Sequence, residues 1–396
     1  MYDVLLKGAR VVDPSQELDG CFDVAILGGR IAALLDPAST PLESAAAIRV
    51  VDVRGKIVVP GLIDFHVHVF PGVSHFGIDP DPTCLARGVT TVLDFGTAGG
   101  LIFDGFRQFV IDEAQTRVLA LLHIAGQGLI GSVGSPPLLG ELHDLRYCDL
   151  DTLERTYSKH RDVILGVKIR CTADLAEGGR NEAGGLEMAR KGADLLNLPL
   201  VIHSPNSSLS IEHVLDRMKP GDVLTHCYHG KDCGLVDQKL KIPATIRDKL
   251  QSGVLLDVGH GFSSFNFSVA RSLLDQEVLP DFISSDIHFY NLHGPVYDLL
   301  TTMDKFLHLG MPLAEVIRRT TQTPAKFLGR QDDLGTLKPG AIADITVLEL
   351  QEGEFVLEDS EGNREIGRHR LDATHVFRSG RQIGVLPKPS PAVARA

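Results

Sequence analysis

No lysine- or arginine-rich run occurs in the 396 residues, and the formal net charge is −12. A nucleic-acid surface is therefore excluded, because it needs clustered cations to meet phosphates. Long apolar runs are also missing, and no stretch reaches the roughly 20 residues needed to cross a bilayer. The amino-terminal segment Met1-Tyr2-Asp3-Val4-Leu5-Leu6-Lys7 lacks the apolar core and basic flank of a secretory leader. Cysteine is sparse. Cys21, Cys84, Cys148, Cys171, Cys227 and Cys233 are scattered and none form C-x-x-C, so buried thiols are expected rather than a disulfide framework. A Gly-x-Gly-x-x-Gly loop is absent after the first strong strand, which argues against an open doubly wound nucleotide-binding sheet. What remains is a chain of ordinary globular composition, 43% hydrophobic and long enough for one large domain with a small one. A soluble cytoplasmic protein is expected.

The rhythm of the chain changes twice. Residues 1–57 read as short strands: Asp3–Lys7, Asp23–Leu27 followed by Arg30–Leu34, and Arg49–Val53, with Gly28-Gly29 as a hairpin turn. From residue 58, short apolar runs alternate with longer helical segments. Eight such runs stand out: Val58–Val69, Val89–Phe95, Val118–Ile124, Val163–Ile169, Leu200–His203, Val223–His226, Val254–Val258 and Phe282–Asp286. Eight strand–helix units over about 270 residues predict a closed (β/α)8 TIM barrel spanning 58–334. Beyond it, Ala343–Leu348, Glu354–Leu357 and His375–Arg378 return to short strands. Residues 1–57 and 335–396 are therefore expected to form one small, discontinuous β-sandwich domain. The tail Pro387-Lys388-Pro389-Ser390-Pro391 reads as surface or disordered chain.

A barrel of this kind carries its chemistry at the carboxyl ends of its strands. The first ends in His66-Val67-His68. Strand alternation puts both imidazoles on one face, roughly 7 Å apart, where they can chelate a divalent ion. Later ends add Lys168, His203, His226 and Asp286. One histidine at a strand end is unremarkable, but matched polar residues on five strands point to a metal site.

These residues give the chain a resemblance to the amidohydrolase superfamily, in its binuclear subgroup bridged by a lysine carbamate. The motifs are Pro60-Gly61-Leu62-Ile63-Asp64 with His66 and His68, Thr323-Pro324-Ala325, and Gly335-Thr336-Leu337-Lys338-Pro339-Gly340 with Ala343-Asp344. The resemblance implies two divalent metal ions, of the zinc type. One is held by His66, His68 and Asp286, the other by His203 and His226, with Lys168, carboxylated by CO2, between them. A desolvated neutral amine can capture CO2, whereas an ammonium group would be repelled by both ions. With a bridging hydroxide the formal charge left at the centre is one positive, which suits a carbonyl substrate carrying a carboxylate. The implied reaction is hydrolysis of an amide or ester, with Asp286 as general base and then acid.

The substrate is less sharply marked. Dihydroorotase-like enzymes follow H-x-H with an arginine; Val69-Phe70 stands here instead. Hydantoinase-like enzymes carry a tyrosine near the lysine, where this chain has Ile169-Arg170-Cys171. Asp222–Cys227, Asp257–Gly261 with Ser264–Phe267, and Gly294–Leu299 resemble deacetylase-like amidohydrolases, often labelled dihydroorotase-like. That resemblance implies an acetyl ester or amide of a small α-hydroxy or α-amino acid. Cyclic amidase and non-catalytic scaffold are the alternatives. Arg170 is expected to clamp the carboxylate, with His260 and His123 as further substrate contacts and His229 and His288 near the mouth. The expected partner is a small molecule, with no nucleic acid and no membrane; assembly as a homo-oligomer stays open.

Overall fold

The computed structural model describes residues 1–38, 46–131 and 137–389. Two sheets organise it. The first takes β1 (Tyr2–Asp13), β2 (Leu18–Leu27), β3 (Arg30–Leu35), β4 (Ala47–Asp52) and β5 (Ile57–Pro60) from the start of the chain. The barrel strands are β6 (Leu62–Val67), β7 (Val89–Asp94), β8 (Arg117–His123), β9 (Ile164–Arg170), β10 (Leu200–His203), β11 (Val223–Thr225) and β12 (Leu255–Asp257). Then β13 (Ile345–Glu358), β14 (Arg364–Arg378) and β15 (Arg381–Ile383) rejoin the first sheet.

The first sheet runs β15-β14-β13-β5-β1-β2-β3, with β4 against β1. Its own core gathers branched aliphatics from both chain ends, among them Leu6, Val24, Ile26, Val58, Ile345 and Val347. Gly28 and Gly29, at φ 59° and 75°, make the β2–β3 turn in a left-handed conformation that matches the twist of a tight hairpin. Thus the β-sandwich is built by the two ends of the chain.

In the second sheet β6 to β12 lie side by side in sequence order, all parallel. The run at Phe282–Asp286 closes it. Asp257 bridges Phe282 and Val67 bridges Ile287, both in parallel sense. Asp286 N–H donates to the His66 carbonyl at 2.8 Å, and His68 N–H donates to the Ile287 carbonyl at 3.1 Å. Phe65 stacks on Phe282 across this seam, with ring centroids 3.7 Å apart. The result is an eight-unit (β/α)8 barrel.

One expected strand is in fact two. The apolar run from Val58 to Val69 breaks at Gly61: Ile57–Pro60 pairs with β1 and β13, and the barrel begins at Leu62. A side chain at Gly61 would collide with Thr90 Oγ1 and with Asp344, so the chain passes between sheets where only glycine fits. The tail also departs from expectation. Lys388 inserts its ammonium against Asp304, 2.5 Å away, with side chains 6% and 2% exposed; Ser390 and Pro391 lie outside the described residues.

Among the described residues no helix is long and apolar enough to cross a membrane. All six cysteines are free thiols; Cys84, Cys148, Cys171 and Cys227 are buried, Cys233 is partly covered and Cys21 is exposed. The β13–β14 hairpin reaches over the barrel, where Ser360 N–H donates to the Phe265 carbonyl at 2.9 Å and Asn266 Nδ2 donates to Glu361 Oε2 at 2.7 Å.

Candidate metal centre

The strand ends converge on a cavity of about 450 Å³ whose wall includes His66, His68, Lys168, His203, His226 and Asp286. Hydrogen bonds fix which imidazole nitrogen faces it. The Thr97 hydroxyl donates to Asp94 Oδ2 at 2.7 Å, so it accepts from His68 Nδ1, 2.8 Å away. Thr225 likewise donates to Asp257 Oδ2 at 2.6 Å, and both can accept from His66 Nδ1 at 3.0 Å. His226 Nδ1 lies 2.6 Å from the Gly259 carbonyl, which can only accept. All three rings therefore carry their proton on Nδ1 and present an Nε2 lone pair. Burial holds their pKa values well below the ordinary 6.5, so they are neutral.

The acidic and basic members are poised in the same way. Asp286 Oδ1 stands 3.3 Å from His66 Nε2 and 3.2 Å from His68 Nε2 and has no hydrogen-bond donor among the described residues. Burial raises its carboxyl to about 6. Ligand atoms of His66, His226 and Asp286 all lie within 4.8 Å of one another. Lys168 is 1% exposed, its Nζ has no hydrogen-bond partner among the described residues, and burial brings its pKa down to about 7. His203 packs edge-on to His226, with centroids 4.5 Å apart. Buried lone pairs aimed at one another with no proton between them are what a cation would satisfy. The donor set fits divalent metal, and a buried Lys168 amine whose pKa has fallen to about 7, and which is readily neutral, fits carboxylation.

Backbone turns aim these groups. His226 and Asp286 adopt left-handed φ values of 64° and 48°, turning each side chain out of its strand into the cavity. Gly96 makes room beside the lysine: a Cβ there would lie 2.7 Å from Lys168 Cβ and 2.8 Å from its Cγ.

The other expected contacts divide. Arg170 borders the cavity, with Nε 3.4 Å from Glu141 Oε1 and its guanidinium 5.6 Å from the Phe76 ring centre. His288 borders it as well. His260 does not. After Gly259 turns at φ 46°, His260 stacks on Phe265 and its Nε2 meets Lys305 Nζ at 2.7 Å, away from the wall. His123 is paired with Lys168 across the β8–β9 ladder but is buried behind the wall, its Nδ1 accepting from Ala125 N–H. His229 Nδ1 accepts from Lys231 N–H and serves its own loop. Asp257, Thr225 and Thr97, which orient the histidines, were missed by sequence reasoning, although Asp257 and Thr225 sit at strand ends where the same alternation could have found them. Lys231 and Tyr290, also on the wall, lie in loops with no such signal.

Fold and site together define a metal-dependent hydrolase on a barrel scaffold. The chain belongs to the Amidohydrolase family, whose model matches residues 57–383. It is 33% identical over 342 residues to a deacetylase of Agrobacterium fabrum, covering 86% of this chain and 81% of that one. A solved adenine deaminase superposes with a TM-score of 0.87 at 31% identity, covering 97% of this chain and all of its own. A solved dihydroorotase does so at 0.86 and 29%, over the whole of both chains. The three names differ while the fold is shared, so the fold carries the hydrolytic chemistry and the cavity must carry the choice of substrate.

Proposed function

We propose that this enzyme removes the acetyl group from a small α-amino or α-hydroxy acid. His66, His68 and Asp286 would hold one divalent ion of the zinc type, and His203 and His226 a second, with carboxylated Lys168 between them. When bound, such ions polarise the scissile carbonyl and lower the pKa of water toward neutrality. The chain's own groups do the rest. The Asp286 carboxylate takes the proton of the attacking water and passes it to the leaving amine or alcohol; a carboxyl raised to about 6 suits transfer in both directions. Asp257 and Thr225 keep His66, Thr97 keeps His68 and the Gly259 carbonyl keeps His226 in the tautomer that leaves Nε2 open.

The observation that carries the reading is the buried, partnerless Lys168 Nζ and Asp286 Oδ1 on one wall with the cations Arg170 and Lys231. That wall suits an uncharged acyl group at the centre and a carboxylate beside it. The likeness to the Agrobacterium fabrum deacetylase supports acetyl as the acyl group. The six free thiols support a cytoplasmic setting, where they stay reduced. A second reading, a cyclic amidase of dihydroorotase or hydantoinase type, is favoured by the likeness to the solved dihydroorotase.

A hydrolysis screen of N-acetyl and O-acetyl amino and hydroxy acids, run beside dihydroorotate and hydantoins with zinc present, separates the two. Acetate release is expected. Ring opening without acetate release would replace this reading by the second.

A further inference from the structure

The cavity wall carries a cation that the metal centre does not use. Lys231 stands on the loop after β11 and borders the same cavity as Lys168 and Arg170. Its N–H donates to His229 Nδ1 at 3.0 Å, which ties the loop at its base. The half-buried ammonium has no such tie: among the described residues no carboxylate oxygen lies within 4.0 Å of Nζ. Glu361, on the β13–β14 hairpin, is close enough to act on it electrostatically, yet its Oε2 is engaged by Asn266 Nδ2 at 2.7 Å. Burial lowers the Lys231 pKa, so desolvation outweighs the help this carboxylate gives. Arg170 differs, because Glu141 Oε1, on a buried side chain, stands 3.4 Å from its Nε in a partly buried ion pair.

We infer that Lys231, rather than Arg170, receives the carboxylate of the substrate and sets the preference for acidic over neutral acetyl compounds. The inference rests on the reading of this enzyme as a hydrolase of small acetylated acids. An incoming anion gains most from a partly desolvated charge that no protein group already neutralises. At Arg170 the same anion would compete with Glu141 and stand near its negative charge. At Lys231 it completes an ion pair that the protein leaves open.

The test uses N-acetylalanine and N-acetylalaninamide, which differ in that one charge, with the zinc-loaded full chain. Calorimetric binding and acetate release are measured for the wild type and for K231M, K231R and R170M. The wild type is expected to bind the acid about ten- to a hundredfold more tightly than the amide, the range of a hydrogen bond to a charged group. K231M should lose that preference while binding the amide as before, which also shows its site to be intact, and K231R should keep most of it. Retained preference in K231M, its loss in R170M alone, or no preference in the wild type each overturns the inference. Acetate release with the preference unmoved by K231M removes the role of Lys231 and leaves the deacetylase reading standing. A preference lost in K231M without any acetate release does the reverse.

Discussion

Asp257 is the most informative single side chain to change. It is fully buried, with Oδ1 accepting from Ser284 Oγ at 2.5 Å and Oδ2 facing Thr225 Oγ1 at 2.6 Å and His66 Nδ1 at 3.0 Å. Asp257→Asn keeps the shape but replaces one acceptor oxygen by an amide donor. Whichever way the amide turns, an N–H meets either the Ser284 hydroxyl or the Thr225–His66 pair. If it meets the pair, the His66 proton is driven to Nε2, where it blocks the lone pair aimed at Asp286. Loss of such an orienting partner typically weakens metal affinity by about 10–100-fold, or about 1.4–2.8 kcal/mol. Competition with a chelator of known zinc affinity measures it directly. Burial pushes the Asp257 carboxyl up to about 7, against the hydroxyl hydrogen bonds that lower it. Unchanged zinc affinity in the variant would refute the claim that metal binding depends on a carboxylate behind His66.

Two further changes test the scaffold around the site. Gly96→Ala puts a methyl group within 2.8 Å of the Lys168 stem at a backbone φ of 80°, so it should displace the lysine and lower metal content, with a stability cost of about 1–3 kcal/mol. Elemental analysis and urea denaturation read the two effects separately; normal metal content would show that Lys168 has room to spare. Lys388→Met strands the buried Asp304 carboxylate and should cost about 3–5 kcal/mol at neutral pH. Burial already raises the Asp304 carboxyl from 3.8 to about 6, so the folded state holds its proton more tightly than the unfolded state. Its stabilising share is thus complete below 3.8 and lost as pH rises through 6. The variant should accordingly be destabilised less at about pH 5 than at about pH 7.5, and equal losses at both would contradict the pairing.

Much of this centre could be read from the sequence because a strand imposes a period of two on its side chains. His66 and His68 declared themselves by spacing, and Lys168, His203, His226 and Asp286 by standing at the ends of apolar runs. The barrel count survived even at the eighth strand, which closes through isolated bridges and backbone hydrogen bonds at Asp286 and His68. The failures have a common cause in tertiary partners. Nothing within Val58–Val69 reveals that Thr90 and Asp344 crowd Gly61 and split the run. His260 was expected at the cavity because it ends the seventh apolar run, but the left-handed Gly259 precedes it, and Lys305 and Phe265 decide where the ring goes. The tail around Lys388 read as surface or disordered chain because the partner Asp304 is 84 positions away.

The role proposed for Lys168 is that of a metal-bridging carbamate rather than a structural lysine. Metal content per chain, measured together with the 13C spectrum of enzyme loaded with zinc and 13C-labelled bicarbonate, tests it most directly. Two ions per chain and a carbamate resonance are expected, both lost in Lys168→Ala and the metal partly restored by a short carboxylic acid. Fewer than one ion per chain with no carbamate signal, or a Lys168→Ala enzyme with its metal intact, would contradict it.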